Sequence, residues 1–126
     1  MTISPYLYYE DVESALEWLT RVFGFRERLR VPGESGRITH AEMEFADSVI
    51  MMGHPGPDYK SPKRLGHVFQ LQYATVGDVD SHFRRSKDAG ATILAEPKDQ
   101  PYGDRTYAVE DLEGHHWYFA QHLAKA

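Results

Sequence analysis

The chain has 126 residues, 41% of them hydrophobic and 26% charged, with a net charge of −5, which suits one folded core and excludes a disordered segment. It holds no cysteine, so disulfides, thiolate metal ligands and a cysteine nucleophile are excluded together, and its Lys/Arg clusters are no longer than Lys63-Arg64 and Arg84-Arg85, which argues against a nucleic-acid partner. No apolar run approaches the roughly 20 residues that cross a bilayer, and the opening MTISPYLYYEDV has neither a basic nor a long apolar leader region; the expectation is a cytoplasmic protein with no membrane contact.

Ile3 to Tyr9 reads as a strand, with Pro5, Leu7 and Tyr9 on one face and Ser4, Tyr6 and Tyr8 on the other. Asp11 caps a helix over Ser14–Phe23 whose stripe is Ala15, Leu16, Leu19, Val22 and Phe23, with Trp18 at its border. Gly24 closes it in a left-handed conformation. Strands follow at Phe25–Val31, Arg37–Phe45 and Ser48–Gly53. In the middle one Ala41 and Met43 oppose His40 and Glu42. HPGPDYKSPKR, with three prolines and a glycine, is the clearest linker. A long connection of this kind can also serve as a flap over a site.

The second half repeats the first. Gly66–Thr75 reads as a strand and Asp78–Ala89 as a helix with Val79, Phe83 and Ser86 on its buried side and Gly90 as its stop. Ala91–Ala95 is a strand and Glu96–Tyr102 a loop. Arg105–Glu110 and His115–Gln121 form a hairpin around Asp111-Leu112-Glu113-Gly114, with Trp117 in the core. Both halves therefore read β-α-β-β-β. Asp11-Val12-Glu13-Ser14 matches Asp78-Val79-Asp80-Ser81 at an offset of 67, and Gly24 matches Gly90 at 66. A period this long points to duplication of a whole unit rather than a solenoid. The expected fold class is α+β: two βαβββ modules forming a concave mixed sheet with helices outside. Residues 1–126 make a single domain, with module one at 1–54, a linker at 55–64 and module two at 65–126.

The openings LYYEDVESALEWLTRVFGF and YATVGDVDSHFRRSKDAGA and the ending GDRTYAVEDLEGHHWYFA resemble the vicinal oxygen chelate superfamily, the glyoxalase/bleomycin resistance protein/dioxygenase group, across essentially the whole chain. The ending is similar to the D-P-x-G-H close of the bleomycin-resistance-like branch, with Leu112 where proline is usual. The resemblance implies a cavity between two open sheets, often within a dimer, and four metal-ligand positions. These fall at Ser4, at Met52 or Met51, at Leu71 or, where alternation favours the cavity face, at Gln70 or Gln72, and at Tyr118. Ser, Met, Gln and Tyr are poor ligands for Zn²⁺ or Ni²⁺, so neither a metal nor another cofactor is expected. His115 and His116 point to opposite faces of a strand and cannot ligate together from there.

The cavity implied by the resemblance collects Tyr6 and Tyr8 from the first strand, His40 and Glu42 from the third, and Met52 and His54 from the fourth. Gln70 and Gln72 come from the fifth and His116 and Tyr118 from the last, with Tyr102 and Arg105 at the mouth. Phenols and imidazoles offer flat faces with a polar tip, and an inward Glu42 favours a cationic or donor group. The first reading is a metal-independent protein that captures a planar or cationic small molecule, as a homodimer. The alternative is a lyase, isomerase or dioxygenase-like enzyme of the same superfamily acting on a small carbonyl or aromatic substrate, with Tyr, His and Glu42 as acid–base groups.

Overall fold

The computed structural model describes residues 2–123. Its elements are β1 (Tyr6–Tyr8), α1 (Val12–Phe23), β2 (Arg26–Pro32), β3 (Ile38–Phe45), β4 (Ser48–Gly53), α2 (Pro62–Leu65), β5 (Leu71–Thr75), α3 (Val79–Asp88), β6 (Thr92–Asp99), β7 (Asp104–Glu110) and β8 (His116–His122). The class is α+β, and the βαβββ order occurs twice. Each module makes one mixed four-stranded sheet, β1-β4-β3-β2 and β5-β8-β7-β6, in which the first strand lies parallel to the last. The two sheets stay separate within the chain; β1 and β5 are both edge strands rather than hydrogen-bonded partners in one continuous sheet.

The two longer helices, α1 and α3, begin as their sequences direct. The carboxylate of Asp11 accepts the Ser14 amide at 3.0 Å, and that of Asp78 accepts the Ser81 amide at 3.1 Å, satisfying amides that have no partner inside the helix. Gly24 takes φ 81° after α1 and Gly90 takes φ 88° after α3, a conformation that costs glycine nothing.

One aromatic core joins the modules. Phe23 and Phe25 from the first pack edge-on to Trp117 of the second at 5.5 Å each, and Phe23 meets Phe119 at 4.9 Å. His82 of α3 stacks on Phe119 at 4.0 Å and bonds the Phe23 carbonyl at 2.9 Å. Burial holds its pKa below the ordinary histidine value.

The hairpin turn is a polar clasp as well as a turn. Asp111 is buried. Its Oδ2 accepts the Tyr9 hydroxyl at 2.6 Å and the Trp117 indole at 3.1 Å, while Oδ1 accepts the amides of Glu113 and His115 at 3.0 Å each. Glu113 accepts the amides of Glu10 and Asp11 at 2.6 and 2.9 Å. Two carboxylates of the second module thereby fix the chain where β1 enters α1.

Three strands have bounds well away from expectation, and one residue takes the other face. β1 has three residues, because Pro5 has no amide to donate and Ile3 is fully exposed. The strand expected from Gly66 starts at Leu71. Ahead of it Ser61 caps α2, a helical turn with Pro62 in its first positions, and Gly66 ends that turn. Glu96–Asp99 continues β6 instead of forming a loop; Pro97 is tolerated because β6 is an edge strand with irregular pairing there. Ile38 is buried although alternation puts it with His40 and Glu42, opposite Ala41 and Met43, and the register of β2 against β3 shifts beside it.

Candidate functional site

Strand alternation sorts each sheet into a helix-covered face and an open one. In the first sheet Leu7, Ala41, Met43, Ile50 and Met52 are buried under α1. The other face carries Tyr6 and Tyr8, which are 46% and 50% exposed. Tyr6 pairs in register with Met51, Met51 with Glu42, and Gly53 with His40.

These residues form a connected chain. The Tyr6 hydroxyl lies 2.9 Å from His40 Nδ1, His40 Nε2 lies 3.1 Å from Glu42, and Glu42 lies 3.6 Å from the Arg28 guanidinium. A carboxylate only accepts, so Nε2 carries the proton in neutral His40; Nδ1 is then the acceptor and Tyr6 donates to it. Burial, followed by Tyr8 and Glu42, raises the Tyr6 pKa and keeps its proton in place. Gly53 makes the approach possible, because a Cβ there would overlap the Tyr6 hydroxyl. The ring of Tyr6 packs at 5.6 Å from His40 and at 6.0 Å from Tyr8.

The open face of the second sheet is built in the same register with different residues. Tyr73 pairs with Tyr118 and Leu71 with His116, while Tyr118 pairs with Ala108 and His116 with Glu110. The 67-residue offset carries Tyr6 to Tyr73, Met51 to Tyr118 and Gly53 to Ala120. The cross-strand partners of Met51 and Gly53 are Glu42 and His40; those of Tyr118 and Ala120 are Ala108 and Thr106. The acid–base pair thus sits on one module only. Near the end of the second face Tyr73 bonds Asp104, whose other oxygen meets His122 Nδ1 at 2.6 Å. Burial and hydrogen bonds with Asp104 and Tyr102 push the Tyr73 hydroxyl well up.

The structure brings together Tyr6, Tyr8, His40 and Glu42, and places His116 and Tyr118 on the open face of the second sheet. Three expectations are corrected. Met52 is fully buried in the core, and its neighbour Met51 takes the open-face position. Gln72 shares its face with Trp117, while Leu71 and Tyr73 share the face of His116 and Tyr118; of the alternatives Leu71, Gln70 and Gln72, Leu71 holds the open-face position, and the preference for a glutamine rests on the wrong parity. Arg105 does not stand at a mouth. It follows the parity of Tyr107 and Val109 and is bound by Asp80 of α3 at 3.0 Å and Asp99 at 2.9 Å. His54 lies just beyond β4, with Nδ1 3.2 Å from the Tyr9 carbonyl. Gln70 precedes β5 and is exposed, as is Tyr102 in the turn after β6.

Sequence reasoning missed Tyr59. Its hydroxyl donates to the Tyr8 carbonyl at 2.9 Å and its ring meets Tyr8 edge-on at 5.7 Å, so the linker folds back over β1. Burial first, then the charges of Glu113, Glu10 and Asp111, push its pKa up to about 12. A cleft of about 350 Å³ opens between β1, this segment, β5 and β8, with Tyr6, Tyr8, Tyr59, Phe69, Gln72 and His116 in its walls.

A family model described as the glyoxalase/bleomycin resistance protein/dioxygenase superfamily matches residues 2–119. The chain belongs to this superfamily. Its solved relatives include TioX from Micromonospora sp. ML1, 41% identical, with a TM-score of 0.81 over 98% of this chain and 99% of that one. A glyoxalase-related enzyme from Clostridium phytofermentans shares the fold at 11% identity, with a TM-score of 0.75 over 98% and 95% of the two chains. An uncharacterized protein of Mycobacterium tuberculosis strain H37Rv is 35% identical over 124 residues, covering 94% of this chain and 73% of that one.

Superfamily resemblance implies a metal between open faces, and the donors present do not fit one. The four implied positions, with the open-face residue taken where alternatives stood, hold the Ser4 hydroxyl, the Met51 thioether, the Leu71 aliphatic side chain and the Tyr118 phenol. These four positions offer a divalent ion neither a carboxylate nor an imidazole. Among the described residues no group of three or more His, Asp or Glu side chains is arranged to hold a metal.

Proposed function

We propose that the protein is a metal-independent small-molecule-binding member of the superfamily that captures a planar or cationic compound. The observation that carries this reading is the Tyr6–His40–Glu42 chain on the open face of the first sheet. Tyr6, Tyr8 and His40 supply flat rings for stacking and cation–π contact. Glu42, whose side chain is 16% exposed and linked to His40 and Arg28, supplies the negative end that a cationic group seeks. Capture needs affinity alone, so no group has to turn over.

The working unit in this reading is a cytoplasmic homodimer with a small-molecule ligand and no nucleic-acid or membrane partner. Support comes from the exposed apolar side chains. Tyr6, Tyr8, Leu29 and Val31 of the first sheet and Leu71, Tyr73 and Leu94 of the second are each 40–50% exposed. A second copy that lays its second sheet beside the first would cover them and close the cavity. No helix among the described residues is long and apolar enough to cross a membrane.

The test is a titration with proflavine, a planar cation, followed by calorimetry, beside a thermal-shift scan with Ni²⁺, Co²⁺, Zn²⁺, Mn²⁺ and Fe²⁺. The reading expects saturable proflavine binding that weakens about tenfold in Glu42→Gln, equivalent to about 1.4 kcal/mol, and no metal shift. One equivalent of metal with a raised melting temperature would overturn it, since specific binding to the native state must stabilise.

A further inference from the structure

We infer that the cleft behind β1 is a second binding site, distinct from the Glu42 face, and that it takes an aromatic monoanion such as an arylcarboxylate. Its walls are rings and aliphatic side chains: Tyr8 and Tyr59 edge to face at 5.7 Å, His67 and Phe69 edge to face at 4.8 Å, and Pro62 and Leu65 beside them. Phe69, one of the residues lining this cleft, is 88% exposed, an unusual place for a phenylalanine that nothing covers. A volume of about 350 Å³ lies at the lower end of the roughly 300–1,000 Å³ of small-molecule pockets, which suits one or two fused rings.

The charge pattern sets the sign. The lining residues include Lys60, His67, His115 and His116, and no Asp or Glu, in a chain whose net charge is −5. The carboxylates that act on Tyr59 do not line the cleft and are engaged elsewhere. Glu10 is bound by Arg64 at 2.6 Å and by the Ser61 amide at 2.9 Å, and Glu113 is bound by the amides of Glu10 and Asp11. Among the polar lining residues, Lys60, Gln70 and His116 carry side chains that can donate to a carboxylate. An apolar wall with a few such donors is the ordinary build of a ligand pocket. The Glu42 face favours the opposite charge, so the two sites select different compounds although Tyr6 and Tyr8 stand at the border of both.

The experiment titrates the full chain with 2-naphthoate and, separately, with 2-naphthylmethylammonium, which has a similar ring body and the opposite charge. Binding is read by calorimetry and located by NMR shifts. The expected result is saturable binding of 2-naphthoate, weakened about tenfold by Lys60→Gln and by Tyr59→Ala and unchanged by Glu42→Gln. Lys60 is exposed, so Lys60→Gln keeps the fold even if removing the Tyr59 ring loosens the linker. Absence of saturable 2-naphthoate binding, tighter binding of the cation in this cleft, or indifference to Lys60→Gln would each overturn the inference. Since Glu42→Gln reports on the proposed capture face and Lys60→Gln on the cleft, failure of one site is distinguishable from failure of the other.

Discussion

Replacing Asp111 by alanine is the sharpest test of how the two modules are held together. The side chain accepts four hydrogen bonds while 5% exposed. Two donors, the Tyr9 hydroxyl and the Trp117 indole, belong to residues that are 0% and 1% exposed, so water does not readily replace the lost carboxylate. A buried donor left without a partner costs about 1–3 kcal/mol. The two amides sit in a turn that can admit water, and they add less. The sum is about 3–5 kcal/mol. A domain of this size shifts its melting temperature by about 3–5 °C for each kcal/mol, so Asp111→Ala should melt at least about 10 °C lower. Scanning calorimetry gives the midpoint, and urea unfolding with an unchanged m-value confirms a loss of stability rather than of compactness. Tyr9→Phe removes one donor cleanly and should cost about 1–2 kcal/mol. In the double variant the losses should fall short of additivity by about 1 kcal/mol or more, because the two residues share a bond. An Asp111→Ala protein melting within about 3 °C of the parent would refute the reasoning, and the clasp would then be ornamental to stability.

Other outcomes follow from the same geometry. Gly114→Ala should destabilise by about 2 kcal/mol or more in urea unfolding, because φ is 90° and a Cβ would stand 2.7 Å from the Lys63 backbone nitrogen. Gly53→Ala, whose methyl would displace the Tyr6 hydroxyl, should weaken proflavine binding about as much as His40→Ala does; equal affinity to the parent would sever Tyr6 from the site. The Ser61 amide, first, and Arg64 hold the Glu10 pKa at about 2, against an ordinary 4.5. Its contribution is therefore full above pH 4.5 and lost as pH falls toward 2. Glu10→Gln should flatten the acid limb of the stability profile in that window, and an unchanged limb would count against the Ser61–Glu10 bond. Glu113 has the opposite sign: burial raises its pKa, so its share of stability is fullest below pH 4.5 and falls as pH rises.

Much of the scaffold was legible because it depends on local patterns. The helix caps Asp11 and Asp78, the stops at Gly24 and Gly90 and the repeated β-α-β-β-β order all rest on neighbours a few residues apart. Tyr6, Tyr8, His40 and Glu42 were legible for the same reason, since strand alternation puts them on the face opposite Leu7, Ala41 and Met43. Met52 and Gln72 were misplaced because alternation needs an absolute register, and a shift of one residue exchanges the faces. Only pairing with β3 and β8 supplies that register.

What the sequence by itself determined was the set of elements, their duplication and the chemical character of the open faces. Hydrophobic period and capping act within a dozen residues of chain. Tertiary structure alone decided that Asp111 reaches Tyr9 across 102 residues, that Tyr59 folds over Tyr8, and that Arg105 turns to α3 rather than to a ligand. These are contacts of long-range partners. A charged or phenolic side chain satisfies its hydrogen bonds with whichever group packing brings within about 3 Å, and that group is known only once the sheets and helices have docked.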